Sequence, residues 1–207
     1  MNKKWLKYIV LVAVAGLLAY NSVYIKKLDA KKSTVEINLD PPEFAKKFWS
    51  AQFIPYLDSA VEMNSFITML KENPQQTFEK YAHAPGIGHT SFFLVKGEGV
   101  ISSVNEDDIT VQLKPGAGEV KLNTGLYFGN AVRDVTGKIA MGDFSNTMDF
   151  NAVSAELNKI VREQVVLPFK TKAVKGATVQ FVGCAEINKE QINTGSMQLL
   201  PVKIITQ

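Results

Sequence analysis

The chain has 207 residues, 46% of them hydrophobic and 21% charged, with a formal charge of +3, a balance that suits a folded domain with a real core and excludes a disordered chain. The positive charge is local: Lys3, Lys4, Lys7, Lys26, Lys27, Lys31 and Lys32 face a single acid, Asp29, and beyond Lys32 acids outnumber bases. A phosphate-binding surface needs clustered Lys and Arg on the folded part, so nucleic acid is not an expected partner.

The first 32 residues predict a membrane helix. Asn2-Lys3-Lys4-Trp5-Leu6-Lys7 is followed by an uncharged run from Tyr8 to Ile25, close to the roughly 17 to 25 residues that span a bilayer core. Trp5, Tyr8, Tyr20 and Tyr24 fall near its ends, where interfacial aromatics gather. The Ala13-Val14-Ala15 triplet comes too early to close an ordinary signal peptide, so the segment is expected to stay as an anchor. Lysines flank both ends and nearly cancel the positive-inside comparison, and the signal-like basic start favours a cytoplasmic N-terminus. The soluble part is then expected on the periplasmic or extracytoplasmic face of the cytoplasmic membrane.

Residues 33–85 are expected to form a helical subdomain. Lys26 to Lys32 is a charged linker, and Val35-Glu36-Ile37-Asn38-Leu39 alternates as a short strand does. Asp40 before Pro41-Pro42 reads as an N-cap with proline in the first turn. The helix it opens carries Phe44, Phe48, Trp49 and Phe53 on an aromatic face, and Pro55 is expected to kink or interrupt it. Asn64 or Ser65 can cap a helix bearing Phe66, Met69 and Leu70, and Asn73-Pro74 opens another bearing Phe78 and Tyr81.

Residues 86–207 read as a β domain. Gly86-Ile87-Gly88 breaks the helical pattern, and Ser91 to Val104 forms a strand with a bend or bulge at Gly97 and Gly99. Ile109 to Leu113 and Glu119 to Leu122 complete an antiparallel meander. A helix is predicted from Phe150 to Val165 through Val153, Leu157, Ile160 and Val161, followed by strands at Thr178 to Cys184 and Gln198 to Thr206. Bent meander, helix and two closing strands make an α+β chain with an OB-like antiparallel β-barrel and one inserted helix, a generic α+β sheet being the alternative.

Three stretches carry a resemblance: Phe93-Leu94-Val95-Lys96-Gly97-Glu98-Gly99, Gly129-Asn130-Ala131-Val132-Arg133-Asp134, and Gly142-Asp143-Phe144-Ser145-Asn146-Thr147-Met148-Asp149-Phe150. With them the chain, over nearly all of residues 35 to 205, resembles the predicted periplasmic lipoproteins called domain of unknown function 2291. The resemblance implies an exported, membrane-tethered partner of sugar ABC-transporter systems, with a helical subdomain, an OB-like domain and no established catalytic activity. One departure matters. Where the lipoprotein pattern needs cysteine after Leu17-Leu18-Ala19, this chain has Tyr20, which cannot be lipidated, so the apolar helix itself becomes the expected tether.

Arg133, Asp134, Asp143 and Asn146 are the candidate ligand-binding residues. An arginine fork beside carboxylate and amide acceptors can grip a sugar hydroxyl, a carboxylate or another chain. The competing reading is local architecture: Asp143 or Asn146 on turn amides, Arg133 paired with Asp134 or Asp143, and Asp149 capping the helix near Phe150. His83 and His89 are expected as exposed loop residues, without the further ligands a zinc site needs. The lone Cys184 permits no intramolecular disulfide and, among Phe181, Val182 and Ala185, is expected as a buried thiol. No hydrolase elbow, phosphate-binding loop or metalloprotease helix occurs, and no cofactor or metal is expected. A non-catalytic accessory or binding module is the leading expectation, and an envelope enzyme of unrecognised type acting on a small molecule or carbohydrate is the alternative.

Overall fold

A computed structural model describes Trp5, Tyr8 and residues 40–206 other than 86, 87, 115–117 and 128. The expected membrane segment beyond Tyr8, the charged linker and the strand at Val35 to Leu39 lie outside the described residues. Among the described residues, no helix is long and apolar enough to cross a membrane.

Leu39–Gln207 form one compact unit. Helix α1, Pro41–Phe48, starts as expected: Asp40 Oδ1 accepts the Glu43 N–H at 3.3 Å, and prolines fill positions that need no donor. Pro55 does not break the helix on arrival. The chain widens into a π-helical turn at Trp49–Phe53, continues α-helical through Ile54–Tyr56 and ends in a tighter turn at Leu57–Ser59. The π-turn takes up the slack around a residue that has no N–H to give and whose ring crowds the preceding turn. After the two-residue strand β1, Val61–Glu62, come α2, Met63–Glu72, and α3, Pro74–Tyr81. The cap of α2 is neither Asn64 nor Ser65 but Glu62, whose Oε2 accepts the Ser65 N–H at 2.8 Å. Glu is a poor cap by propensity, but here its longer side chain folds back to the same donor that a short one would reach.

The barrel comprises β2 (Thr90–Val104), β3 (Asp108–Leu113), β4 (Glu119–Asn123), β5 (Thr178–Asn188) and β6 (Met197–Thr206). Neighbours run β1-β2-β3-β4-β6-β5, and β5 returns to β2 to close the ring. All pairings among β2–β6 are antiparallel except β4 with β6. Strand β2 makes closure possible by serving two partners: residues 90–100 pair with β5, residues 99–104 with β3. At the overlap a Cβ on Gly99 would lie 2.2 Å from the Gln112 carbonyl oxygen, so only glycine lets the strands approach there. The register irregularity falls not at the glycines but between Ile101 and Ser103. Pro201, which cannot donate to a ladder, sits at the register slip of β6 against Val182 and Gly183.

Side chains fill the barrel. Phe93, Val95, Val111, Leu122, Phe181 and Leu199 are buried together with Met63, Phe66 and Phe78 of α2 and α3. The opposite face of β2, β5 and β6, with Phe92, Leu94, Cys184 and Val202, packs under α1 and the long helix α5, Thr147–Val161. Both faces of β2 are therefore covered, which explains the unbroken run Phe92-Phe93-Leu94-Val95. Beyond Val161, α5 widens into a second π-turn, Arg162–Val166, just before Pro168. Cys184 is 2% exposed, and burial pushes its thiol pKa well up, as expected for an inert core thiol.

Candidate functional site

The region singled out by sequence lies between β4 and α5. The chain leaves β4, forms the short helix α4, Ala131–Asp134, turns at Gly137 and Met141–Asp143, and enters α5. Gly137 adopts φ +64°, and its Cα faces His83 so closely that a Cβ would lie 2.6 Å from Nδ1, two reasons for glycine at one position.

Arg133 and Asp134 come together and are buried, at 4% and 3% exposure. Arg133 Nε donates to Asp134 Oδ1 at 2.6 Å, and Nη2 donates to Oδ2 at 2.9 Å. A third donor, Nη1, reaches the Phe150 carbonyl at 3.4 Å, while the guanidinium lies 3.5 Å from the centroid of the Phe150 ring. Adjacent residues seldom face each other in a helix, but α4 is a single turn and the long arginine side chain can bend back. The pair is held on an aromatic stack in which Phe150 meets Phe144 at 5.3 Å and Phe144 meets Phe44 of α1 at 5.7 Å.

Asp143 and Asn146 are not brought to that ion pair by any hydrogen bond. Asp143 Oδ2 accepts the Ala140 N–H at 2.9 Å and closes its own turn. Asn146 caps α5: its Oδ1 accepts the Asp149 N–H at 2.9 Å, and its Nδ2 donates to Asp149 Oδ2 at 2.8 Å. The helix thus begins three residues earlier than the periodicity suggested, and the cap is Asn146 rather than Asp149. Hydrophobic spacing marks only the first buried residue, Phe150, whereas a cap is set by the first free N–H groups.

His83 departs from the expected exposed loop. Its backbone bridges to Phe92, its Nε2 hydrogen-bonds the Tyr56 hydroxyl at 2.9 Å, and burial lowers its pKa. Burial also raises the Tyr56 pKa. His89 is exposed as expected, 3.2 Å from Glu190. His83, Arg133, Asp134, Met141 and Phe150 border a cavity of about 430 Å³. A larger cleft of about 700 Å³ runs between Leu126–Tyr127 and the polar edge of α5 at Asn151, Asn158 and Arg162. Among the described residues, no group of three His, Cys, Asp or Glu side chains could hold a metal ion.

Sequence reasoning missed the exposed methionines of the 140–148 stretch. Met141 and Met148 are 42% and 79% exposed, on either side of Asp143. The available signal was two methionines within a glycine- and serine-rich turn, where a core has no use for them.

The curated proteins yield no match. Among solved structures, an OB-fold protein from Thermotoga maritima is similar at 25% identity and a TM-score of 0.73, over 82% of this chain and 99% of that one. Its OB fold agrees with the closed five-stranded ring found here. The family model described as predicted periplasmic lipoprotein matches residues 13–205, and the chain belongs to that family, domain of unknown function 2291.

Proposed function

We propose that the chain is a non-catalytic module tethered by its N-terminal apolar segment to the extracytoplasmic face of the cytoplasmic membrane, where it assists a sugar ABC-transport system by contacting one of its protein components. The observation that carries this reading is the rim at residues 140–148, where exposed Met141 and Met148 stand on either side of exposed Asp143. Flexible, polarizable methionines around a charge suit a protein contact. The buried Arg133–Asp134 pair and the Phe44–Phe144–Phe150 stack give that rim a rigid base. In this reading Arg133, Asp134 and Asn146 hold the surface, and Asp143 takes part in it through Oδ1. The family supports an extracytoplasmic location. In this reading the apolar segment is the attachment, because Tyr20, which cannot be lipidated, follows Leu17-Leu18-Ala19. Tethering raises the effective concentration of the module at membrane partners. The binding reading is preferred to the enzyme alternative because Arg133, Asp143 and Asn146 are each engaged in an ion pair, a turn or a cap.

The test is a cross-linked pull-down from native membranes with the full chain and with Met148→Glu. Enrichment of a transport component by the wild type and its loss in the variant is the expected result; no such component with the wild type overturns the partner. External protease should degrade a C-terminal tag once the outer barrier is opened, and a protected tag overturns the location.

A further inference from the structure

A third cavity lies apart from the rim, where the ends of four barrel strands meet the loop after β4. Its volume is about 420 Å³, within the range of small-molecule sites. The floor is apolar and fixed: Ala131, Cys184 and Leu200 are all buried on this face. The polar wall consists of Thr90, Asn123, Glu186, Asn188 and Gln198, with the Tyr127 ring beside them. Strand register explains the convergence. Thr90 is paired with Asn188, Glu186 lies two residues before Asn188 on the same face of β5, and Gln198 lies one residue past the Ala185–Leu199 pair, opposite Glu186.

The hydrogen bonds already made define what the wall offers. Asn123 Oδ1 accepts the Gly125 N–H at 3.0 Å, and Asn188 Oδ1 accepts the Glu190 N–H at 2.9 Å. Neither Asn123 Nδ2 nor Asn188 Nδ2 makes a hydrogen bond among the described residues, so both asparagines keep a donor to offer. Tyr127 donates to Glu186 Oε2 at 3.4 Å, which leaves Oε1 as an acceptor. The Thr90 hydroxyl and the Gln198 amide each offer both a donor and an acceptor. Glu186 is the single charge in the lining.

Closely spaced donors and acceptors, one charge, an aromatic wall and an apolar floor match a molecule that both donates and accepts at neighbouring atoms and has C–H faces. Anions meet Glu186 and offer no donor to it. A simple ammonium ion satisfies Glu186 but brings no acceptor for the asparagine NH₂ groups. We propose that this pocket binds a neutral polyhydroxylated ligand the size of one sugar ring. The site shares no residue with the 140–148 rim.

The experiment is saturation-transfer NMR on the full chain in detergent micelles, with D-glucose, D-ribose and myo-inositol as probes and acetate and ethylammonium as controls. At least one polyol should bind saturably in the millimolar range, and neither control should. Asn188→Asp keeps the Oδ1 acceptor for Glu190 but removes the amide donor; Gln198→Ala removes a side chain that makes no hydrogen bond among the described residues. Each should weaken polyol binding by about 3- to 10-fold, the worth of one hydrogen bond, with an unchanged melting temperature. No saturable response from any of the three polyols overturns the proposal, as does binding that is unaffected by both variants or matched by ethylammonium. Such a failure would leave the Met148→Glu pull-down untouched, so the two readings fall separately.

Discussion

Asp134→Ala is the most demanding test of how the 130–150 region is built. Asp134 is 3% exposed and accepts two charge-assisted bonds from Arg133, at 2.6 and 2.9 Å. Without it the guanidinium keeps its charge in a site 4% exposed, with only the Phe150 ring and carbonyl as partners. Removing one partner of a buried pair costs about 3–5 kcal/mol. At about 2–4 °C per kcal/mol for a domain of this size, the melting temperature should fall by about 6–20 °C. Replacing both residues, Arg133→Leu with Asp134→Leu, removes the stranded charge together with its partner and should cost less than Asp134→Ala alone. Urea unfolding followed by circular dichroism measures both. A cost below about 1 kcal/mol for Asp134→Ala, or a double variant worse than the single, would refute the view that Arg133 depends on Asp134.

Three further outcomes follow from the same geometry. Asn146→Ala should destabilise the chain by about 1 kcal/mol through loss of the α5 cap, and Asp149→Ala by less, because the latter loses only the reciprocal bond from Asn146 Nδ2; denaturant midpoints give the order, and the reverse order would sink the cap assignment. His83 has a folded pKa below its unfolded value, so as pH falls below about 6.5 the unfolded chain takes up a proton that the native chain resists, and stability is lost. The melting temperature of the wild type should therefore fall further than that of His83→Gln on acidification, and parallel curves would contradict this. Gly99→Ala forces a Cβ to within 2.2 Å of the Gln112 oxygen and should cost at least about 2 kcal/mol in thermal melts.

What the sequence discloses depends on how local the physics is. Strand alternation in β3 and β4, the Asp40 cap and the paired glycines in β2 each act over a few residues, and the OB-like order of elements could be read from them. Features set by contacts distant in sequence could not. His83 is half-buried because Tyr56 and Phe92 close on it, and nothing near residue 83 announces either. Glu62 caps α2 against its own propensity because the chain around it is fixed as β1 beside β2. For the candidate residues the sequence offered two readings, gripping a ligand or holding local structure, and residue type alone could not choose between them. Asn123 and Asn188 carry no local signal of a site, because a lone asparagine at a strand end reads as a turn former. Each does form a turn, and only the strand register reveals that their unused amide groups share one pocket.

The two π-turns carry a consequence for the phase of the helices that contain them. A π-turn takes one residue more than an α-turn, so every residue downstream lies about 100° back from where a uniform helix would place it. In α5 the buried series Val153, Leu157, Val161 would continue near residues 164 and 165 at regular spacing, yet the buried residues are Val166 and Phe169. The inserted residue resets the helix's reading frame so that Phe169 reaches the core. Deleting one residue from 162–166 would let the helix run uniformly and leave Phe169 on its present face, whereas forcing the full-length segment into a regular helix would turn Phe169 about 100° away from the core. The irregular turn is thus what lets one continuous segment seal two successive parts of the core.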